Sequence, residues 1–151
     1  MNPPGSIVMQ ASAVAINGRA LMIEGPPGSG KSSLALALID RGAGLIGDDG
    51  VSLSCEGSAI MVAPPPNIEG LIEMRGIGLV AMPLACPAPL ALILTLGGPR
   101  GDRMPDKLAQ RAILGRPVPV LPFEAGNIAP AVRAEWALGI HGLASIAPDR
   151  T

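Results

Sequence analysis

The sequence predicts an α/β fold, a mixed central sheet with flanking helices. Three observations carry that reading. An apolar run, Ala20–Ile23, leads into the glycine-rich string "GPPGSGKS" at Gly25–Ser32, which opens an alanine- and leucine-rich segment of helical spacing. Short apolar runs recur after that unit, separated by Gly, Pro and Asp-Gly punctuation. Apolar residues make up 48% of the 151 residues and aromatics only 1%, so the core is expected to be built from Ala, Leu, Ile, Val and Met. A chain of this length buries a core of its own, and a single domain over residues 1–151 is the expectation.

Taken in order, Ile7–Ile16 reads as a strand in which Ser12 interrupts Val, Ile and Ala. It ends in Asn17-Gly18, the pair favoured by a type I′ hairpin turn because both positions need positive φ. Ala20–Ile23 is then the returning strand. After the glycine loop, Leu34, Ala35, Leu38 and Ile39 mark a helix, with Gly42 placed as its C-terminal cap. A short strand ends at Ile46, ahead of the acid pair Asp48-Asp49. Val51–Cys55 and Ala59–Ala63 pair across a Glu56-Gly57 turn, and Pro64–Pro66 is a stiff loop without ladder donors. Leu71–Met74 and Leu90–Leu96 read as further strands. Pro99–Arg116 is polar, with a short helix expected over Asp106–Leu114. Pro119 assigns Val118–Leu121 to a sheet edge. Ile128–Leu138 closes the chain as a helix with Asn127 as N-cap, and the residues after Gly139 are expected to fray. Phe123 and Trp136 are assigned to the core, and the lone His141 to the surface.

Composition excludes several classes. A net charge of −1 leaves no basic surface for displacing phosphate counterions, and no aromatic-plus-basic stacking surface exists, so a nucleic-acid binder is not expected. Gly76–Pro99 carries no charge and is long enough to span a bilayer. Pro83, Pro87 and Pro89 would break a helix there, and two buried strands joined by a Pro-rich connection fit better. The start "MNPPGSIVMQ" has neither a basic nor an apolar leader region, which points to the cytoplasm. Cys55 and Cys86 lack metal spacing and are expected as free, buried thiols.

"GPPGSGKS" matches G-x-x-x-x-G-K-S/T throughout. Glycines permit a tight loop whose N–H groups point at a phosphate, and the helix that follows adds the positive end of its dipole. Gly25, Pro26, Pro27, Gly28, Ser29, Gly30, Lys31, Ser32 and Ser33 are therefore the candidate nucleotide-binding residues. Lys31 supplies a mobile charge for the β/γ oxygens, and the Ser32 hydroxyl is a ligand for Mg²⁺. ATP and Mg²⁺ are the implied cofactors. Loops of this kind are usually joined by an Asp closing a second apolar strand, but "LALILTLGG" ends without an acid. Carboxylates must come from elsewhere, and Asp48, Asp49 and Glu73 lie near strand ends. Of two adjacent acids, one can face the phosphate while the other bonds behind it, which suits a general base acting on an attacking hydroxyl. The same triplet also fits an ordinary Asp-Asp-Gly turn.

The order of strand, "GPPGSGKS", helix, "RGAGLIGDDGVSL" and "LIEMRGIGL" (Leu71–Leu79) resembles HPr kinase/phosphorylases over nearly the whole chain. The similarity is to that family's catalytic domain without its N-terminal domain, as in a short form. It implies a P-loop fold of the phosphoenolpyruvate-carboxykinase-like type, and it implies roles residue by residue. Lys31 would hold the β/γ phosphates, Ser32 and Glu73 would bind Mg²⁺, and Asp48 would deprotonate the target serine and donate the proton in reverse. Arg103, in "GDRMPD", falls on the family's catalytic Arg; from the residues alone it is one loop Arg among several. Asp49 is the second acid, whose histidine partner in the family is Gln10 here, a side chain that hydrogen-bonds but carries no charge. The family's basic stretch used in dephosphorylation is "LPFEAGN" here, with Glu124 its only charge. The partner implied is HPr, and family members are oligomers, typically hexamers. Two rivals stand beside this reading. One is a small-molecule kinase with an Arg-rich lid over Pro99–Arg116. The other is a nucleotide sensor that binds without turnover.

Overall fold

The structure, a computed structural model, describes residues 5–65, 70–99, 101 and 104–144. The expected opening strand is two: β1 (Ile7–Met9) and β2 (Ser12–Ile16), separated by a bend at Gln10. Asn17 (φ 50°) and Gly18 (φ 80°) then make the hairpin to β3 (Arg19–Glu24), as the Asn-Gly pair predicts. Helix α1 (Lys31–Asp40) stops where Gly42 N–H bonds Ile39 O and Ala43 N–H bonds Leu38 O, a Schellman closure on Gly42. Strands β4 (Gly44–Gly47), β5 (Val51–Glu56), β6 (Ala59–Ala63) and β7 (Leu71–Met74) follow where the sequence puts them, and β9 (Ala88–Thr95) is the long central strand.

Further expectations change along the chain. The charge-free stretch holds one buried strand, β9; its other strand, β8 (Gly78–Ala81), is mostly exposed and pairs with β7 in a separate hairpin. Asp106–Leu114 is not a helix but contains β10 (Ala109–Ile113). β11 (Arg116–Pro122) is not an edge, since it lies between β10 and β9. Its prolines sit opposite Gln110 and Ala112 at alternate positions, which must be the non-hydrogen-bonded pairs of the ladder, so the missing N–H groups break no bond to β10. Helix α2 is Pro130–His141, entered through Ala129 in the left-handed region rather than capped by Asn127. Beyond Gly139, Leu143 N–H bonds Ala91 O, and Arg19 donates to the carbonyls of Leu138 and Leu143.

The main sheet runs β1-β5-β6-β9-β3-β2-β4, with β11 attached to β9 and β10 to β11. β6 pairs with the start of β9 and β11 with its end, on the side of β9 away from β3, so the sheet splits and curls there. One core packs α1 and α2 on one face, with Leu21, Leu38, Leu92 and Leu138 at its centre. The other lies inside the curl, around Met22, Ile46, Leu53 and Ile93. The helices thus flank one face only; the sheet covers the other itself. Phe123 is buried as expected, but Trp136 is 67% exposed on the outer side of α2. Cys55 and Cys86 are free, as expected, yet exposed rather than buried. No helix among the described residues is long and apolar enough to cross a membrane. Leu92→Ala, at a fully buried position, is expected to cost about 2–5 kcal/mol in urea unfolding.

Candidate active site

The parallel strands converge on one edge. β3 and β11 run parallel to β9, and β4 runs parallel to β3 because both are antiparallel to β2. Their carboxyl ends therefore deliver the glycine loop, the Leu96–Pro99 turn, the Phe123–Gly126 loop and Asp48 to a common rim, where ligands of α/β sheets bind.

The loop from Gly25 to Gly30 winds tightly between β3 and α1. Gly28 (φ 81°) and Gly30 (φ 99°) hold left-handed conformations that disfavour a side chain. At Gly25 a Cβ would stand 2.5 Å from Ser29 Oγ and 2.8 Å from Leu96 O, so loop and β9 turn touch backbone to backbone. Gly30 is the N-cap of α1, leaving the first N–H groups of the helix without a side-chain partner and directed to the rim. Lys31 Nζ reaches back to Gly25 O at 2.7 Å and Pro26 O at 3.4 Å. Ser33 points to solvent.

Asp48 is the centre of the arrangement. Its Oδ1 accepts hydrogen bonds from Ser32 Oγ at 2.8 Å and Ser12 Oγ at 2.9 Å, and its Oδ2 lies 3.4 Å from the Glu73 N–H. One carboxylate thus joins the glycine loop, β2 and β7. A tight turn makes this possible: a Cβ on Gly47 would fall 2.2 Å from Gly50 O, and a bulge in the β2–β4 pairing sits beside it, at Ala13/Val14. Gly47→Ala is accordingly expected to destabilise the fold by about 1–3 kcal/mol in urea titration and to lower activity with it.

Asp49, at φ 65°, is exposed, so the adjacent acids separate into one that faces inward and one that faces water. No hydrogen bond joins it to Gln10 among the described residues. Glu73 offers its backbone N–H to Asp48, while its side chain is exposed on the β7–β8 hairpin. Among the described residues no group of three or more His, Cys, Asp or Glu gathers as a metal cluster. Ser32 and Asp48 nevertheless bring hard oxygen donors to the end of the loop, with the backbone of Glu73 beside them, a set whose chemistry fits Mg²⁺ completed by phosphates and water rather than a transition metal. Arg103 lies outside the described residues.

Three residues of the rim were not singled out by the sequence. Ser12 is fully buried, and its signal was its place in phase with Val14 on the face toward α1. Arg111 Nη1 meets both oxygens of Glu24, at 2.6 and 2.7 Å, bracing the residue ahead of the loop. Arg133 lies over the Phe123 ring, 4.9 Å from its centroid, and bonds the carbonyls of Glu124, Ala125 and Ile128, which fixes that loop. These last two depend on long-range packing and left no local pattern. An open cleft of about 650 Å³ lies between the loop and Phe123–Gly126, on the β9 side, away from Asp48.

A mixed α/β domain that brings a lysine-bearing glycine loop and an acid from a neighbouring strand to one rim is built to handle an anionic ligand. The chain belongs to the HPr Serine kinase C-terminal domain family, whose profile matches residues 5–84, a span that includes the loop, Asp48 and Glu73. It is 41% identical over 73 residues to an HPr kinase/phosphorylase of Exiguobacterium sibiricum, covering 48% of this chain and 24% of that protein. It is 34% identical over 125 residues to an HPr kinase/phosphorylase of an Azoarcus species, covering 73% of this chain and 40% of that protein. The solved Hpr(Ser) kinase/phosphatase from Coxiella burnetii superposes with a TM-score of 0.72 at 26% identity, over 88% of this chain and 89% of that one. The chain thus spans well under half the length of these curated relatives, while the structural match extends the likeness past residue 84.

Proposed function

We propose that the chain is an ATP- and Mg²⁺-dependent kinase that phosphorylates a serine of HPr, and that residues 1–151 form one catalytic domain of the phosphoenolpyruvate-carboxykinase-like P-loop type. The observation that carries this is the bond from Ser32 to Asp48, which ties the only inward-facing acid of the pair to the end of the loop. When bound, ATP supplies the phosphoryl group and Mg²⁺ offsets its charge. Lys31, released from Gly25 O, binds the β/γ oxygens, and the loop N–H groups and helix N-terminus orient them. The open cleft on the far side of the loop has room for the nucleoside. Ser32 and Glu73 would hold the metal. Asp48 accepts the proton of the incoming serine hydroxyl and returns it in the reverse, phosphorolytic direction. Arg103 neutralises the transferring group, and Asp49 supports the site from outside. The protein works by positioning and charge, as in phosphoryl transfer generally. A cytoplasmic homo-oligomer, hexameric as in the family, is part of this reading.

The small-molecule rival loses ground at its supposed lid. Arg111 is committed to Glu24 and Arg116 to the Gly57 carbonyl, and the segment between them is a hairpin. The sensor rival is favoured by Gln10, which carries no charge, and by Glu124 in the Leu121–Asn127 stretch. Incubation with γ-labelled ATP, Mg²⁺ and HPr from the same organism separates the two: labelled HPr supports the kinase, whereas tight ATP binding with no label on HPr supports the sensor.

A further inference from the structure

We propose that Ser12 is a positioning residue for Asp48, an inference that rests on the kinase reading and deepens it. Ser12 is 0% exposed on β2, and its hydroxyl has Asp48 Oδ1 at 2.9 Å as its hydrogen-bond partner. A buried hydroxyl needs an acceptor, and a carboxylate is the strongest available. Ser32 bonds the same oxygen, but Ser32 stands in the first turn of α1, directly after the loop, and must also serve the nucleotide. Ser12 stands on the rigid side, inside a strand paired with both β3 and β4. Its O–H and that of Ser32 converge on Oδ1 from two elements, which fixes the rotamer of Asp48 and leaves Oδ2 as the oxygen with no hydroxyl bonded to it. Among the described residues Oδ2 has one approach, the long 3.4 Å one of the Glu73 N–H, so its lone pairs are the ones that serve the acceptor hydroxyl. Without Ser12, Oδ1 keeps only the bond from Ser32 in the first turn of α1 among the described residues.

The test compares Ser12→Ala, Ser12→Cys and Ser12→Thr in steady-state transfer, with ATP affinity and thermal unfolding measured on each. Ser12→Ala is expected to lower kcat by roughly ten- to a hundredfold through misplacement of the base, with KM and Kd for ATP nearly unchanged. Ser12→Thr, which restores the donor, is expected to recover most of that loss. Ser12→Cys keeps the shape with a weak donor and is expected to resemble Ser12→Ala, so it carries the test if the alanine variant folds poorly. A Ser12→Ala or Ser12→Cys enzyme with wild-type kcat overturns the inference while leaving the kinase reading intact. A loss that tracks thermal unfolding and is not rescued by threonine overturns it too. A wild-type chain that binds ATP but transfers nothing removes the kinase reading, and this inference with it.

Discussion

Asp48→Asn is expected to lower phosphoryl transfer by about 10²–10⁴-fold, the range for loss of a general base. The substitution is close to isosteric, so its structural cost is small. The amide oxygen still accepts from Ser12 and Ser32, and only the 3.4 Å approach of the Glu73 N–H becomes a donor facing a donor. ATP affinity is therefore expected to stay within about threefold of wild type, which separates loss of chemistry from loss of binding. The measurements are single-turnover transfer and equilibrium ATP titration on the same preparations. Undiminished transfer would remove Asp48 from the proton's path whatever the substrate.

Lys31→Ala is expected to act on binding and chemistry together. Its Nζ rests on two loop carbonyls, one part-buried and one exposed, and joins no core contact, so stability is expected to change by no more than about 0.5 kcal/mol. The loss falls on the ligand. A cation directed at the charge that builds up in the transition state contributes about 10²–10³ in kcat when removed singly. ATP affinity is expected to fall by at least about tenfold as the charge-assisted bonds to the phosphates disappear. Titration calorimetry with ATP and the transfer assay measure the two effects. A Lys31→Ala chain that binds ATP as wild type does would mean the nucleotide lies elsewhere.

How much of this was legible follows from the range of each interaction. The glycine loop, the Asn17-Gly18 hairpin and the closure at Gly42 are local devices, and each is found where its residues predict. So are β5 and β6, joined by a short turn. The errors gather after Pro99, where the outcome depends on pairing with distant strands. Alone, Ala109–Ile113 has mixed polarity and reads as a helix; bonded to β11, it is a strand with Ile113 buried against the second core. Pro119 argued for an edge because it lacks a donor, but its register puts that gap at a non-bonded pair. Trp136 is expected in the core, yet Ala131, Ala134, Ala137 and Leu138 fill the buried side of α2 and leave it outside.

The site was legible in parts. Lys31, Ser32 and Asp48 were named from motif and strand end, and two of them bond each other. Ser12 was visible as a polar residue in an apolar strand, but its partner is thirty-six positions away and no local rule pairs them. The role of Glu73 in holding Asp48 is made by a backbone N–H, which no side-chain pattern records.

The most direct test of the central claim is mass spectrometry of HPr after incubation with this chain, ATP and Mg²⁺. The expected result is a phosphoserine on HPr that forms only with ATP present and the wild-type loop intact. HPr that stays unmodified while the chain binds ATP would contradict it.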